Sequence, residues 1–234
     1  TTFHPEFAFL PRKFKIAISG TREDRAVTWF HDIGLHLQQQ DGETGFRVIV
    51  GGGLGRTPIR GQIVREFLPW QHLLTYSEAI LRVYNRFGRR DNAYKARIKI
   101  LVQALGVEEF AKLVEAEWTH LKDGPATLTQ AEYDRVAAHF TAPAYAPQGA
   151  VELPAEKAFA KWVDRNTHPH KVAGYAAVTL SLKPHGIAPG DITSEQMETV
   201  ADLADRYSFG ELRISHEQNI ILADVKKSDL YEVW

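Results

Sequence analysis

Two lysines separated by one residue are the clearest chemical feature of the sequence. Lys13 and Lys15 lie in a stretch, residues 10–19, whose apolar and β-branched residues predict a strand. Since a strand places residues i and i+2 on one face, both ammonium groups would point the same way and repel each other. Such a pair favours a site for an anion, or for the carboxylates of a cofactor. The residues also allow a simpler interpretation, in which one lysine faces solvent at a twisted strand start and the other snorkels.

A run of three glycines, Gly51 to Gly53, ends another predicted strand, residues 46–50. Glycine permits close approach of the backbone to a flat ligand, and glycine-rich turns expose N–H groups that bind anions. The run is not a P-loop, because no Gly-Lys-Ser/Thr follows it, and its spacing does not fit a dinucleotide-binding fingerprint. Taken alone, it is typical of a flexible turn between a strand and a loop.

The composition limits the classes of function. With 44% apolar and 24% charged residues, the chain of 234 residues is typical of a globular protein with one large or two modest domains. A formal net charge of −1 gives no global basic field for nucleic acid or an acidic membrane. No apolar run approaches the ~18 residues of a membrane span, and the first residues lack the features of a signal peptide. We therefore expect a cytoplasmic protein with no nucleic-acid and no membrane partner.

The sequence contains no cysteine. Disulfides, thiolate nucleophiles and cysteine-held zinc are therefore excluded, as are the thiolate ligands that iron–sulfur clusters need. Two histidines beside a proline, His168 and His170, are the nearest approach to a metal motif. No third ligand stands at a useful spacing, so this segment is predicted to be a polar loop.

The elements that must position the lysines and glycines are predicted from apolar periodicity. Three successive strands suggest an antiparallel meander, with a polar turn before the last of them. These strands are expected at residues 10–19, 26–37 and 46–50, with the turn at residues 38–45. Helical spacing then predicts helices whose apolar stripes form the core. They are expected at residues 69–87, 94–105, 107–121 and, as a short helix, within residues 129–140.

A locally basic segment covers the first two of these helices. Its cations are Arg82, Arg86, Arg89, Arg90, Lys95, Arg97 and Lys99. They are typical of a solvated helix face with favourable charge near a helix C-terminus. The other interpretation is a docking face for an acidic partner protein, or further contacts to a cofactor.

Three prolines and a glycine over residues 143–154 predict a linker between two domains. Beyond the linker the predicted order of elements is βαββ, which suits half of a ferredoxin-like unit. The strands are expected at residues 175–182, 212–214 and 220–222. Thr193 or Ser194 begins the helix, and Gln196 stands near the capping-box position. The polar connector at residues 215–219 needs no function as a hairpin turn.

Four motifs in a fixed order carry a resemblance to a known family. They are Leu-Pro-Arg-Lys-Phe-Lys at residues 10–15, Val-Ile-Val-Gly-Gly-Gly-Leu at 48–54, Ala-Ile-Leu-Arg-Val-Tyr-Asn-Arg-Phe-Gly-Arg-Arg-Asp-Asn at 79–92 and Gly-Glu-Leu-Arg-Ile-Ser-His-Glu-Gln-Asn at 210–219. With this set, which covers most of the chain, the sequence resembles the sirohaem-dependent sulfite and nitrite reductase family. The resemblance implies an α+β fold. A mixed α/β sirohaem-side domain at 1–142 would be followed by the linker and by a ferredoxin-like (βαββ) half domain at 155–234.

The resemblance also implies site residues. Lys13 and Lys15 match the two lysines with which the family holds its oxyanion and supplies protons. Arg12, predicted on the opposite strand face, is expected to bind sirohaem carboxylates, because a guanidinium binds them in a bidentate manner. The implied cofactor-binding residues are Arg12, Gly52, Gly53, Arg56, Thr57, Arg213, Gln218 and Asn219.

Members of this family reduce sulfite to sulfide, or nitrite to ammonia, by six electrons on sirohaem and a [4Fe–4S] cluster held by four cysteines. Because this chain has no cysteine, starts without Met and ends in an apparent helix, we expect a piece of a longer reductase rather than a degenerate relative. The expected partners are the remaining half of the reductase and an electron donor such as ferredoxin or a flavoprotein. Alone, the chain is expected to bind neither cofactor and to be inactive.

The lysine pair also bears on the choice of substrate. By resemblance, sulfite-preferring members carry Lys-x-Lys here, whereas nitrite-preferring ones tend to carry Asn at the second place. Sulfite is partly a dianion near neutral pH, so a second ammonium suits it better than the monoanion nitrite. Lys15 therefore favours an assimilatory sulfite reductase. A ferredoxin-type nitrite reductase and a non-redox anion- or tetrapyrrole-binding module are the alternatives.

Overall fold

The computed structural model describes residues 4–234, which fall into two compact units, one ending at Phe140 and the other running from Thr141 to Trp234. Within these residues each unit combines helices with a four-stranded sheet. The predicted α+β class is therefore confirmed. No helix in this part of the chain is both long and apolar enough to cross a membrane.

The sheet of the first unit has the strand order β1-β2-β3-β4. Its strands are β1 (Ile16–Ser19), β2 (Ile33–Gln40), β3 (Glu43–Val50) and β4 (Gln62–Pro69). β1 is parallel to β2, whereas the other two pairs are antiparallel. The predicted antiparallel meander is therefore wrong for the first pair. Parallel neighbours need a crossover connection, and the segment with the 3-10 helix Thr28–Phe30 supplies it.

Strand boundaries in this sheet differ from the prediction in four places. The strand expected at residues 26–37 begins only at Ile33, because a 3-10 helix, Thr28–Phe30, lies in its first part. β1 begins at Ile16 rather than at residue 10, and the N–H of Lys15, the residue before it, donates to the Asp32 side chain. β2 and β3 extend through the predicted polar turn and leave Asp41 and Gly42 between them. Their φ angles of 52° and 84° are those of a tight two-residue hairpin. β4 was not predicted, since its apolar and charged residues do not alternate cleanly.

The helices of the first unit are α1 (Leu73–Phe87), α2 (Ile98–Leu105), α3 (Val107–Trp118) and α4 (Gln130–Ala137). Pro69 ends β4, and the 3-10 turn Trp70–His72 precedes α1, so the predicted helix start at residue 69 is wrong. The apolar stripes form the core as predicted. Tyr76 and Ile80 of α1 and Phe110 of α3 are at most 1% exposed.

The second unit has an antiparallel sheet with the order β5-β6-β8-β7. Its elements are α5 (Lys157–Asn166), β5 (Thr167–Pro169), β6 (Tyr175–Leu180), α6 (Ser194–Tyr207), β7 (Leu212–Ile214), β8 (Ile220–Lys226) and α7 (Leu230–Val233). From β6 onward the predicted βαββ order is confirmed. Thr193 and Gln196 form the expected capping box at the start of α6. Residues 141–156, which include the predicted linker, have no regular secondary structure.

Candidate functional site

Lys13 and Lys15 lie in the segment that leads into β1, and both side chains are exposed. The ion pairs found among residues 4–234 all involve other side chains. In this part of the chain the two ammonium groups therefore have no counter-ion. That they hold an oxyanion stays a prediction.

The backbone at Lys15 is fixed by a buried carboxylate that sequence reasoning did not single out. Asp32 is 0% exposed, and its Oδ2 accepts a hydrogen bond of 3.0 Å from the Lys15 N–H. Arg97 donates to the same carboxylate twice, from Nε to Oδ1 at 3.1 Å and from Nη2 to Oδ2 at 2.5 Å. The Ile33 N–H donates to the Lys15 carbonyl at 3.1 Å. The N–H and the carbonyl of Lys15 are thus both hydrogen-bonded, by the consecutive residues Asp32 and Ile33.

The triple glycine contacts the same segment. The Gly51 N–H donates to the carbonyl of Asp32 at 3.0 Å, so Asp32 binds the lysine segment with its side chain and the glycines with its backbone. A Cβ at Gly52 would lie 2.3 Å from the Trp29 carbonyl oxygen. Backbone packing alone therefore requires glycine at position 52. The predicted contact of Gly52 and Gly53 with a sirohaem edge stays a prediction.

Arg56 and Thr57 lie in an exposed loop after the glycines. The ammonium of Lys99, a residue only 8% exposed, donates to the Thr57 carbonyl at 2.6 Å. A Cβ at Gly53 would lie 3.1 Å from Lys99 Cδ. Helix α2 therefore anchors this loop through Lys99 and leaves the Arg56 side chain in solvent. The predicted contacts of Arg56 and Thr57 with a cofactor remain predictions.

Arg12 is exposed and is tied to the first unit at two points. Its Nη1 donates to the Ala93 carbonyl at 2.5 Å, and its own carbonyl lies 3.0 Å from Tyr84 Oη, whose single proton is shared with the Ala96 carbonyl at 2.5 Å. Burial raises the pKa of the Tyr84 hydroxyl, so this group is protonated and donates at neutral pH. The guanidinium has further N–H groups with which to bind a carboxylate.

Part of the basic segment is committed to contacts inside the first unit. Arg82 lies 3.0–3.3 Å from three carboxylates, Arg97 pairs with the buried Asp32, and Lys99 bonds to a backbone carbonyl. A freely solvated basic face is therefore the wrong interpretation for Arg82, Arg97 and Lys99. The only sequence signal for their roles was this cluster of cations.

Arg213, Gln218 and Asn219 lie in the second unit, on β7 and the hairpin that leads to β8. Arg213 Nε donates to Glu211 at 2.6 Å. Gln218 is exposed and has a φ of 60°, which the tight hairpin requires. Asn219 is 7% exposed, and its Oδ1 accepts from Lys183 Nζ at 2.6 Å. Contacts within the unit thus account for Arg213 and Asn219, and the cofactor contacts of all three residues remain predictions.

A second buried cluster was missed by the sequence analysis. Asp224 is 3% exposed, and its Oδ1 lies 2.6 Å from Tyr145 Oη and 3.0 Å from His170 Nε2. The hydrogen bond to Asp224 raises the pKa of Tyr145 to about 12. The polar-loop prediction is wrong for His168, which lies in β5, whereas His170 follows that strand outside regular structure and is half-buried against this carboxylate. Tyr145 fastens the predicted linker to the second sheet.

The side chains available as metal ligands limit the metal-containing cofactors that this chain can bind. Residues 4–234 contain no group of three His, Cys, Asp or Glu side chains that could bind a metal ion. Because thiolates hold iron–sulfur clusters and the sequence has no cysteine, its residues do not fit a [4Fe–4S] cluster. The exposed cations of the first unit, Arg12, Lys13 and Lys15 among them, are of the type that binds carboxylates and small oxyanions. That they hold a sirohaem stays a prediction.

Two family models match the chain. Residues 1–122 match the model described as "Nitrite and sulphite reductase 4Fe-4S domain". Residues 168–234 match the model described as "Nitrite/Sulfite reductase ferredoxin-like half domain". Together these matches take in the lysine pair, the triple glycine and the β7–β8 hairpin.

Curated relatives and solved structures give the same picture. The chain is 31% identical over 230 residues to a ferredoxin–nitrite reductase of Synechococcus elongatus, covering 96% of this chain and 38% of the relative. It is 27% identical over 234 residues to sulfite reductase [ferredoxin] 2 of Mycolicibacterium paratuberculosis, covering 98% and 35%. The structure of the NirA protein of Mycobacterium tuberculosis is similar with a TM-score of 0.64 and 26% identity, covering 98% and 36%. The chain thus spans little more than a third of the length of these proteins.

Proposed function

Because this chain belongs to the nitrite and sulphite reductase 4Fe-4S domain family, we propose that it forms the sirohaem-side part of a sulfite reductase. The reaction is the six-electron reduction of sulfite to sulfide, in which the three oxygens leave as water. The observation that carries the proposal is the exposed pair Lys13 and Lys15, which has no counter-ion among the described residues. The backbone of Lys15 is held by Asp32, which also binds the N–H of Gly51.

The two ammonium groups have two tasks in this reaction. They attract the oxyanion, and they donate protons or order the water that delivers them as oxygen is lost. Sirohaem, when bound, supplies the iron and the electrons. The remaining donors of Arg12 and the solvated guanidinium of Arg56 are the groups in this chain suited to its carboxylates.

The cluster chemistry must come from elsewhere, since no thiolate is available in this chain. We propose that the remaining half of the reductase supplies the cysteines, and that ferredoxin or a flavoprotein supplies the electrons. A ferredoxin donor is supported by the names of the relatives from Synechococcus elongatus and Mycolicibacterium paratuberculosis. The chain purified alone should accordingly show no sirohaem absorbance and no turnover.

The second candidate function is nitrite reduction. It is supported by the relative from Synechococcus elongatus, whose name is ferredoxin–nitrite reductase. The sulfite assignment rests on Lys15, because a second ammonium favours an anion that is partly divalent at neutral pH.

The substitution Lys15→Asn in the full-length protein distinguishes these functions. Turnover of sulfite and of nitrite is measured with a chemical electron donor at several concentrations of each anion. We expect kcat/KM for sulfite to fall at least about tenfold relative to kcat/KM for nitrite, since an ammonium about 4 Å from an anion contributes on the order of a few kcal/mol.

Lys122→Asn is the matched control, since Lys122 is an exposed lysine of the same unit that lies in a turn. It should leave both reactions unchanged. An unchanged ratio of sulfite to nitrite turnover in Lys15→Asn would refute the sulfite assignment. A wild-type protein that binds anions but reduces neither of them would refute reduction and support a binding module.

A further inference from the structure

The ion pair between the buried Asp32 and the half-buried Arg97 contacts the backbone of Lys15. Asp32 is 0% exposed, and the Arg97 side chain is 21% exposed. Burial of both charges is costly unless each finds its partner and its hydrogen bonds. Here the carboxylate accepts two bonds from the guanidinium and a third from the Lys15 N–H.

The third bond links the ion pair to the candidate site. Lys15 precedes β1, so no ladder hydrogen bond of the sheet fixes its N–H. The carboxylate of Asp32 takes that place, and the following Ile33 N–H binds the Lys15 carbonyl. The direction in which the chain presents Lys13 and Lys15 therefore depends on where Asp32 holds this one peptide group.

The same residue also sets the distance from the lysines to the glycines. The carbonyl of Asp32 accepts the Gly51 N–H at 3.0 Å, while its carboxylate accepts the Lys15 N–H at 3.0 Å. A single buried residue thus connects the two segments that the candidate site requires. Arg97, at the N-cap position of α2, donates to the carboxylate from a third element.

We propose that Asp32, held by Arg97, is a positioning residue that sets the lysine pair for oxyanion binding. This proposal rests on the function proposed above. Loss of the carboxylate would release the Lys15 peptide and let the ammonium groups move away from the anion. Moving an ammonium from about 4 to about 6 Å from an anion weakens their attraction by about a third, which corresponds to a rise in KM of about tenfold.

The test is Asp32→Asn in the full-length protein, with kcat and KM measured separately for sulfite and nitrite. We expect KM to rise about tenfold for the monoanion nitrite and by more for sulfite, which is partly a dianion, with a smaller fall in kcat because the proton donors are also displaced. Hydrogen–deuterium exchange of a peptide covering residues 10–19 gives a readout independent of activity. Protection of the Lys15 amide should fall in Asp32→Asn, because an amide oxygen is a weaker acceptor than a carboxylate and the new NH2 group cannot accept from Arg97.

Glu115→Gln is the matched control. Its carboxylate also accepts three hydrogen bonds, two from Arg65 at 2.7 and 2.8 Å and one from Tyr76 at 2.7 Å, but does not touch the lysine segment. This substitution should lower the unfolding temperature while KM and the exchange of residues 10–19 stay as in the wild type. If Asp32→Asn leaves KM unchanged in a protein whose wild type is active, or if both variants raise KM equally, the positioning role is overturned. A wild-type protein without turnover of either anion overturns the proposed function instead, and the exchange experiment still decides whether Asp32 fixes Lys15.

Discussion

Substitution of Gly52 by alanine tests whether this glycine serves the packing of the backbone. The added Cβ would lie 2.3 Å from the Trp29 carbonyl oxygen and 2.8 Å from the His31 carbonyl oxygen. Carbon–oxygen contacts of this kind ordinarily begin at about 3.3 Å, so the backbone must move by about 1 Å. Both neighbours are backbone atoms, and the Trp29 oxygen also accepts the Gly61 N–H at 2.7 Å. No flexible side chain can give way.

The expected loss of stability has two parts. Overpacking of a tight site costs about 1–3 kcal/mol, and distortion of the hydrogen bond from Gly61 to Trp29 costs about 1 kcal/mol more. We therefore expect Gly52→Ala to lower the free energy of unfolding by about 3 kcal/mol. With an m-value of about 2 kcal/mol/M, the urea midpoint should fall by about 1.5 M. Tryptophan fluorescence is a suitable probe, because Trp29 is part of the contact.

Gly20→Ala is the control for this experiment. A Cβ at Gly20 would meet only Leu37 Cδ2, at 3.9 Å, and Gly20 lacks a positive φ. Its substitution should be neutral or should stabilise by up to about 1 kcal/mol, because alanine restricts the unfolded chain. If Gly52→Ala unfolds within about 0.5 kcal/mol of the wild type, the packing explanation for this glycine is refuted.

Two other perturbations follow from single contacts in the second unit. The hydrogen bond to Asp224 raises the pKa of Tyr145 from 10.0 to about 12, so the fold favours the protonated phenol. The contact stabilises the unit fully below pH 10.0 and is lost as the pH rises through about 12. The difference in phenolate absorbance between wild type and Tyr145→Phe should therefore develop near pH 12, and a phenolate that forms near 10.0 would contradict the assignment. Thr193→Ala removes the capping box of α6 and should cost about 1 kcal/mol in thermal unfolding. Thr199→Ala in the same helix is the control, because the Thr199 hydroxyl bonds to the Glu195 carbonyl and has no part in the cap. An equal loss of stability in both variants would show that the capping box of Thr193 gives no stabilisation of its own.

Local sequence patterns predicted the helices that bury an apolar stripe of their own residues. The stripes of α1 and α3, and the cap of α6, could be predicted from the sequence because spacing and capping involve residues a few positions apart. Pairing of strands could not be predicted in the same way. The parallel arrangement of β1 and β2 depends on the route of the crossover that contains Thr28–Phe30. The residues of β4 do not alternate regularly, so this strand, which pairs with β3, was not predicted.

The sequence by itself determined the family, through four motifs in order, and it determined that no thiolate is present to hold a cluster. It also singled out Lys13 and Lys15, since two like charges so close together are a feature of the chain itself. Only the tertiary structure decided that Asp32 holds Lys15, that Arg97 neutralises Asp32, and that Gly52 packs against Trp29. Residues 15, 32 and 97 are far apart along the chain, and their hydrogen bonds exist only because folding brings three elements together around one buried carboxylate.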